Sequence, residues 1–293
     1  MADHELEEFV RLYRIACSDL ARARSEEVGD DVEDYLNDIV SRGHKLFHPP
    51  RSPKIRRMGR FFTQTFPRAV RSIWIEVLAS TILFVLPIIL TVLFVVPSPK
   101  RAYLLAPPTQ LEMLADSYLQ GHEAGRSEDF DSAMTGYYVR NNVGVAFRCF
   151  ATGIFFGLGS IFFLIFNGIF SGAVGAYICM AGATESFLSF VVGHGAFELT
   201  AIVLSGAAGL RMGAAMLNPG RSTRLDALRA ESERLVAIVL GVASMLLIAA
   251  GVEGFWSPSA APASLKFAVG GALWLVVLGY LCLAGRFGEK ARS

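Results

Sequence analysis

Residues 143–183 form a run of about 40 positions that carries one charge, Arg148. The hydrocarbon core of a bilayer asks a helix for roughly 20 consecutive apolar residues, so this run has room for two crossings. Further apolar blocks cover 73–96, 186–217, 235–251 and 267–283, while charges crowd into 1–72, 99–140, 218–234 and the last eight positions. A hydrophobic fraction of 53% exceeds the roughly 45–50% usual for a soluble domain. The net charge of +1 says little as a total. Its distribution predicts an all-α, polytopic membrane protein with about six transmembrane helices.

The predicted spans are about 73–96, 143–165, 168–183, 194–217, 235–251 and 267–283, with the turn between the second and third at Asn167-Gly168. Pro87 predicts a kink in the first span, which neighbouring membrane helices can accommodate. Positively charged loops favour the cytoplasmic side. With the basic N-terminal region there, six alternating spans place residues 97–141 outside. They bring Arg221, Arg224, Arg229, Arg234 and the tail 286–293 to the cytoplasm; five spans would break that agreement. Both ends of the chain are therefore expected in the cytoplasm.

Three regions follow: a cytoplasmic part, 1–72; a membrane domain, 73–285, with the external insert 97–141; and the tail, 286–293. In the first, Leu6, Phe9, Val10, Tyr13, Cys17 and Leu20 recur at helical spacing, and Val32, Tyr35, Leu36, Ile39 and Val40 repeat the pattern after Gly29-Asp30. This predicts a helical hairpin with a thin core. An uninterrupted basic run follows, from Arg51 to Arg71, with Phe61, Phe62 and Phe66 beside the arginines. It suits a helix lying at a membrane surface of anionic headgroups better than a nucleic-acid site. In the insert, helical signals cover Leu111–Leu119 and Phe130–Val139.

Several ordered stretches carry a family resemblance. They are GYYVRNNVGVAFRCFATGIFFGLGS (136–160), FNGIFSGAVGAY (166–177), FVVGHGAFELTAIVLSGAAGLRMG (190–213), LNPGRSTRLDALR (217–229) and EGFWSPS (253–259). Through these the chain resembles the stage II sporulation protein M family of integral membrane proteins. YLNDIVSRGHKLF and RFFTQTFPRAVR resemble its longer, proteobacterial-type members. The resemblance implies a multi-pass protein of the bacterial inner membrane with a scaffold or recruiting role in cell-envelope or peptidoglycan processes. The family is named for a component of engulfment that helps to localise a peptidoglycan-degrading complex. The longer members are often encoded near an AAA-type ATPase, which with envelope proteins forms the implied set of partners. A permease-like or lipid-handling subunit working with a separate ATPase is the alternative.

Charged side chains inside a bilayer are costly and are treated as candidate functional groups. At 1.5 Å per helical residue, Arg148, His194, Glu198 and Glu253 fall near one outer level, and Glu76 with Arg211 near the inner level. Structural pairing and a working polar site are both open for these groups. His194 and Glu198 stand at i and i+4 on one helix face, yet the second histidine of a zinc-binding HExxH is missing. With no nucleophile elbow, no phosphate loop and no close cysteine pair among Cys17, Cys149, Cys179 and Cys282, neither enzyme activity, cofactor nor metal is expected. Gly153 with Gly157, Gly168 with Gly172, and Gly209 with Gly213 make G-x-x-x-G spacings in apolar helices. Such spacings serve packing within one molecule or a homodimer seam, and the sequence leaves both open.

Overall fold

The computed structural model describes residues 3–26, 28–47, 54–119 and 141–286. The expected helix Phe130–Val139 and all but Arg286 of the tail lie outside the described residues, as do Arg51 and the prolines around it. The described residues are helical, with no strand among them. The chain divides into two compact units, Met1–Met58 and Gly59–Ser293, and the division falls inside a short helix.

The first unit is the hairpin of α1 (Asp3–Glu26) and α2 (Asp30–Phe47), turned at Gly29 with φ +123°. A left-handed backbone is inexpensive only for glycine. Leu20, Ala23 and Gly43 are buried between the helices, and Gly43 accepts the Tyr13 ring where a Cβ would stand 2.6 Å from it. Asp30, Asp31 and Glu33 occupy the first turn of α2, where the helix dipole favours acids, and Arg24 pairs with Glu33 across the turn at 2.8 Å. So small a core leaves Leu12, Ile15, Val32 and Tyr35 exposed.

α3 (Lys54–Arg60) contains the boundary between the units. The second unit continues through a wide turn at Phe61–Thr65 into α4 (Phe66–Ser72), α5 (Trp74–Val95), a tight turn at Pro99–Leu104 and α6 (Pro108–Leu119). After the undescribed segment come α7 (141–151), α8 (Leu158–Ile178), α9 (Thr184–Leu217), α10 (Arg224–Gly251) and α11 (Ala263–Leu283). Among the described residues, four helical stretches are long and apolar enough to cross a membrane: Trp74–Val95, Leu158–Leu217, Arg224–Trp256 and Ala263–Leu283. Their outer faces carry large exposed side chains such as Leu93, Leu247, Leu275 and Val276, an apolar surface suited to lipid and too extensive for water. This is a membrane protein.

The 60-residue stretch folds back on itself at Gly182, φ +102°. Opposed positions fall from Gly157 against Gly213, through Ser160 against Gly209 and Leu164 against Gly206, to Gly175 against Phe187. α8 and α9 are therefore antiparallel. α8 runs parallel to α5, because Gly168 meets the Phe84 carbonyl and Gly172 the Ile88 carbonyl. α9 is the central helix, packing against α5, α8, α10 and α11, and its buried face is rich in Gly and Ala. Without a hydrophobic drive between helices in lipid, close backbone approach supplies the packing energy.

The structure corrects the expected spans here. Asn167-Gly168 is no turn: it lies in the middle of α8, and the Asn167 amide donates to the Phe163 carbonyl at 2.7 Å within that helix. The turn falls at Phe155–Gly157, where Phe156 (φ +55°) and Gly157 (φ +83°) adopt left-handed backbone after the tight turn Thr152–Ile154. The expected 143–165 is thus divided between α7 and α8, and 168–183 starts ten residues late. Ser160 closes the turn by donating to the Cys149 carbonyl at 2.6 Å. α9 begins at Thr184 and not near 194, and α10 extends back through the polar residues 224–234.

Candidate functional site

The bundle has a polar layer at each end. At one end, α9 presents His194 and Glu198 one turn apart, the wide turn Val252–Trp256 supplies Glu253, and Ser257 follows it. His194 is buried, shares a hydrogen bond with the Ser257 hydroxyl (Nδ1···Oγ 3.2 Å), and packs edge-on against Phe190 with centroids 5.4 Å apart. The buried ammonium of Lys266, from the first turn of α11, donates to the Ser257 carbonyl at 2.8 Å. Glu253 is 7% exposed and lies at the same end of the bundle as Glu198. Neither acid has an ion-pair or hydrogen-bond partner among the described residues.

Arg148, expected in this cluster, is elsewhere. Its neighbour Cys149 packs at the level of Gly209, eleven residues along α9 from Glu198, which is roughly 16 Å. Its guanidinium donates to the Gly144 carbonyl at 3.1 Å and lies over the Phe163 ring at 5.9 Å. The misplaced turn explains the error. Moving it from 167 to 156 carries Arg148 from near the start of a crossing to near its end. Lys266 takes its place in the cluster; nothing in its spacing marks it in the sequence, because it precedes the expected span.

At the other end the structure joins the expected pair. Arg211 of α9 reaches Glu76 of α5 at 3.2 Å and Glu231 of α10 at 2.5 Å, and Glu231 also pairs with Arg234. Two positive and two negative groups from three helices thus balance. Arg68 and Arg71 of α4 serve a different purpose. They donate to the carbonyls of Leu281, Ala284 and Gly285 at 2.7–3.0 Å, satisfying the free C-terminal acceptors of α11. Beyond the α5 crossing, Tyr103 donates to Glu112 and shares a bond with Tyr177, both at 3.0 Å. Those two partners hold its phenol well above the ordinary tyrosine range.

All six glycines of the G-x-x-x-G pairs lie against helices or turns of this same chain. Gly153 meets the Gly209 backbone, and Gly209 in turn the Cys149 carbonyl at 2.6 Å from where its Cβ would be. Gly157 meets Gly213, while Gly168 and Gly172 lie on α5.

Between α7, α9 and α10 runs an apolar groove of about 250 Å³. Ala146 and Phe150 form one wall, Val242 and Leu246 the other, and Ser205 the floor. Its lining side chains Phe147 and Leu247 are 65% and 69% exposed, so the groove opens sideways, towards lipid. The arrangement of a lateral apolar groove and two uncompensated carboxylates can hold a molecule, and the hydroxyl–imidazole contact beside it, Ser257 with His194, is buried. No group of three metal-ligating side chains occurs among the described residues.

A family model described as Stage II sporulation protein M matches residues 80–258, well over half of the chain, and one described as Domain of unknown function (DUF8413) matches residues 1–48. No curated protein and no solved structure matches this chain.

Proposed function

The chain belongs to the stage II sporulation protein M family, and we propose that it is a non-enzymatic scaffold of the bacterial inner membrane that recruits partners to cell-envelope or peptidoglycan processes. The observation that carries this reading is the division of labour along the chain. A separate helical unit, with its own family match over residues 1–48, precedes a membrane bundle. The hairpin leaves Leu12, Ile15 and Tyr35 exposed, the kind of apolar side chain that anchors a partner. In this reading the membrane domain crosses six times, with α7 as the second crossing. Both ends are cytoplasmic, and an AAA-type ATPase and envelope proteins are the partners.

The test places a photo-crosslinking residue at Tyr35 of the full-length protein in its native membrane. A small, reproducible set of crosslinked proteins is expected, and Leu12→Glu with Ile15→Glu should abolish it. Unchanged crosslinking and an unchanged envelope in that double variant would overturn the scaffold reading. A second reading is lipid handling together with a separate ATPase. It is favoured by the groove, which supplies the lateral opening that a lipid would need.

A further inference from the structure

We propose that the groove and the acids beyond it form one binding site for an aminophospholipid, an acyl chain lying in the groove and the ammonium headgroup between Glu198 and Glu253. The inference deepens the lipid-handling reading and rests on it.

Register places both acids at one height beyond the groove. Glu198 precedes Ser205 on α9 by seven residues, and Glu253 follows Leu246 on the α10 side by seven. Seven α-helical residues are two turns, roughly 10 Å, with almost no rotation about the axis, which puts Glu198 on the Ser205 face of α9; Glu253 lies in the wide turn that continues α10, at a comparable height beyond Leu246. α9 and α10 are antiparallel, since Gly193 packs against Val252 and Arg211 against Glu231. Both acids are therefore displaced from the groove towards the same end of the bundle, one on each helix.

Each part specifies half of an amphiphile. The groove offers carbon on every side except for Ser205. Ser205 is 3% exposed, and its hydroxyl makes no hydrogen bond among the described residues. Thr200 on α9 and Ser244 on α10 instead return theirs to the carbonyl four residues earlier, at 2.7 and 2.9 Å. An apolar cavity of about 150 Å³ already takes up benzene and excludes water, so about 250 Å³ accommodates a length of hydrocarbon chain.

The acids call for a cation. Carboxylates in apolar surroundings take up protons unless a positive charge is held beside them, and a cation between these two would keep both ionised. The nearby basic groups do not fill that role: Lys266 is bound to the Ser257 carbonyl, His194 to the Ser257 hydroxyl, and Arg148 lies roughly 16 Å lower along the bundle. A primary ammonium on a hydrocarbon-tailed molecule meets both demands at once.

The test uses the full-length protein in nanodiscs of equal phosphatidylethanolamine and phosphatidylglycerol, with a diazirine in the acyl chain of one lipid at a time. Phosphatidylethanolamine should label the α7 and α10 groove peptides roughly tenfold more than phosphatidylglycerol, about what one charge-assisted contact contributes. Glu198→Gln with Glu253→Gln should erase that preference, and Ser205→Leu should remove groove labelling by either lipid. Ala243→Trp, on the groove's exposed wall, is a second blocking variant should Ser205→Leu fail to fold. Equal labelling by the two lipids, or a preference that survives the double Gln change, would overturn the headgroup assignment while sparing the lipid-groove reading. No labelling of the groove by either lipid would overturn both.

Discussion

Arg211 illustrates how a single side chain can tie three membrane helices together. Its guanidinium joins Glu76 and Glu231, and the two carboxylates are 18% and 13% exposed. Arg211→Met would leave both acids without their shared cation. A fully buried pair broken in this way costs about 3–5 kcal/mol, and the 34% exposure of Arg211 brings the expected loss to about 1–3 kcal/mol. Thermal unfolding in detergent measures it. Adding Glu76→Leu to Arg211→Met should cost less than the two changes separately, because the second removes a charge that the first has stranded. Arg71→Ala should cost about 1 kcal/mol by freeing the Leu281 and Ala284 carbonyls. The Glu76–Arg211 pair was legible in the sequence, since counting 1.5 Å per residue placed both at one depth. Glu231 and Arg234 were not, because they sit in a polar stretch that reads as a loop and forms the first turns of α10.

At the scale of the element, the spacing of small residues was easier to read than the position of the turn. An Asn-Gly pair is a strong turn signal in water-soluble chains. In α8 the glycine is instead the site where α5 crosses closest, and the asparagine satisfies its amide within the helix. The actual turn has a weaker signature, a phenylalanine and a glycine in left-handed backbone. It is held by Ser160 and by the packing of Gly157 on Gly213, contacts distant in sequence. Two glycine substitutions separate tight packing from mere helix composition. In Gly209→Ala the new methyl would stand 2.6 Å from the Cys149 carbonyl, and unfolding should become easier by about 1–3 kcal/mol. Gly279→Ala, with nothing within 4 Å, should be neutral or stabilise α11 by up to about 1 kcal/mol. The comparison is made by thermal unfolding of both variants in the same detergent.

At the scale of the whole molecule, hydropathy and the clustering of charge were enough to predict a helical membrane protein. They did not resolve how many times the chain crosses, because α7 is short where it is described and α8 and α9 form one apolar run. The contacts constrain the answer. α5 and α8 run one way, and α9 runs the other; α10 returns against α9. α11 is antiparallel to α10, because Lys266 at its start meets Ser257 while Leu281 near its end meets Arg71 on α4, just before α5. In the six-crossing reading proposed above, the chain leaving α5 at Val95 recrosses before α8, which runs parallel to α5, and that crossing ends in α7, whose Cys149 packs at the Gly209 level. Six crossings with cytoplasmic ends follow if the basic residues flanking α5, α9 and α10 obey the charge rule. Thiol labelling tests this. A membrane-impermeant maleimide applied to spheroplasts should modify Ser98→Cys, in the segment after α5, and should reach Cys17 of α1 only after the membrane is opened. Labelling of Cys17 in sealed spheroplasts would reverse the orientation, and labelling of Ser293→Cys there with Cys17 protected would require an odd number of crossings.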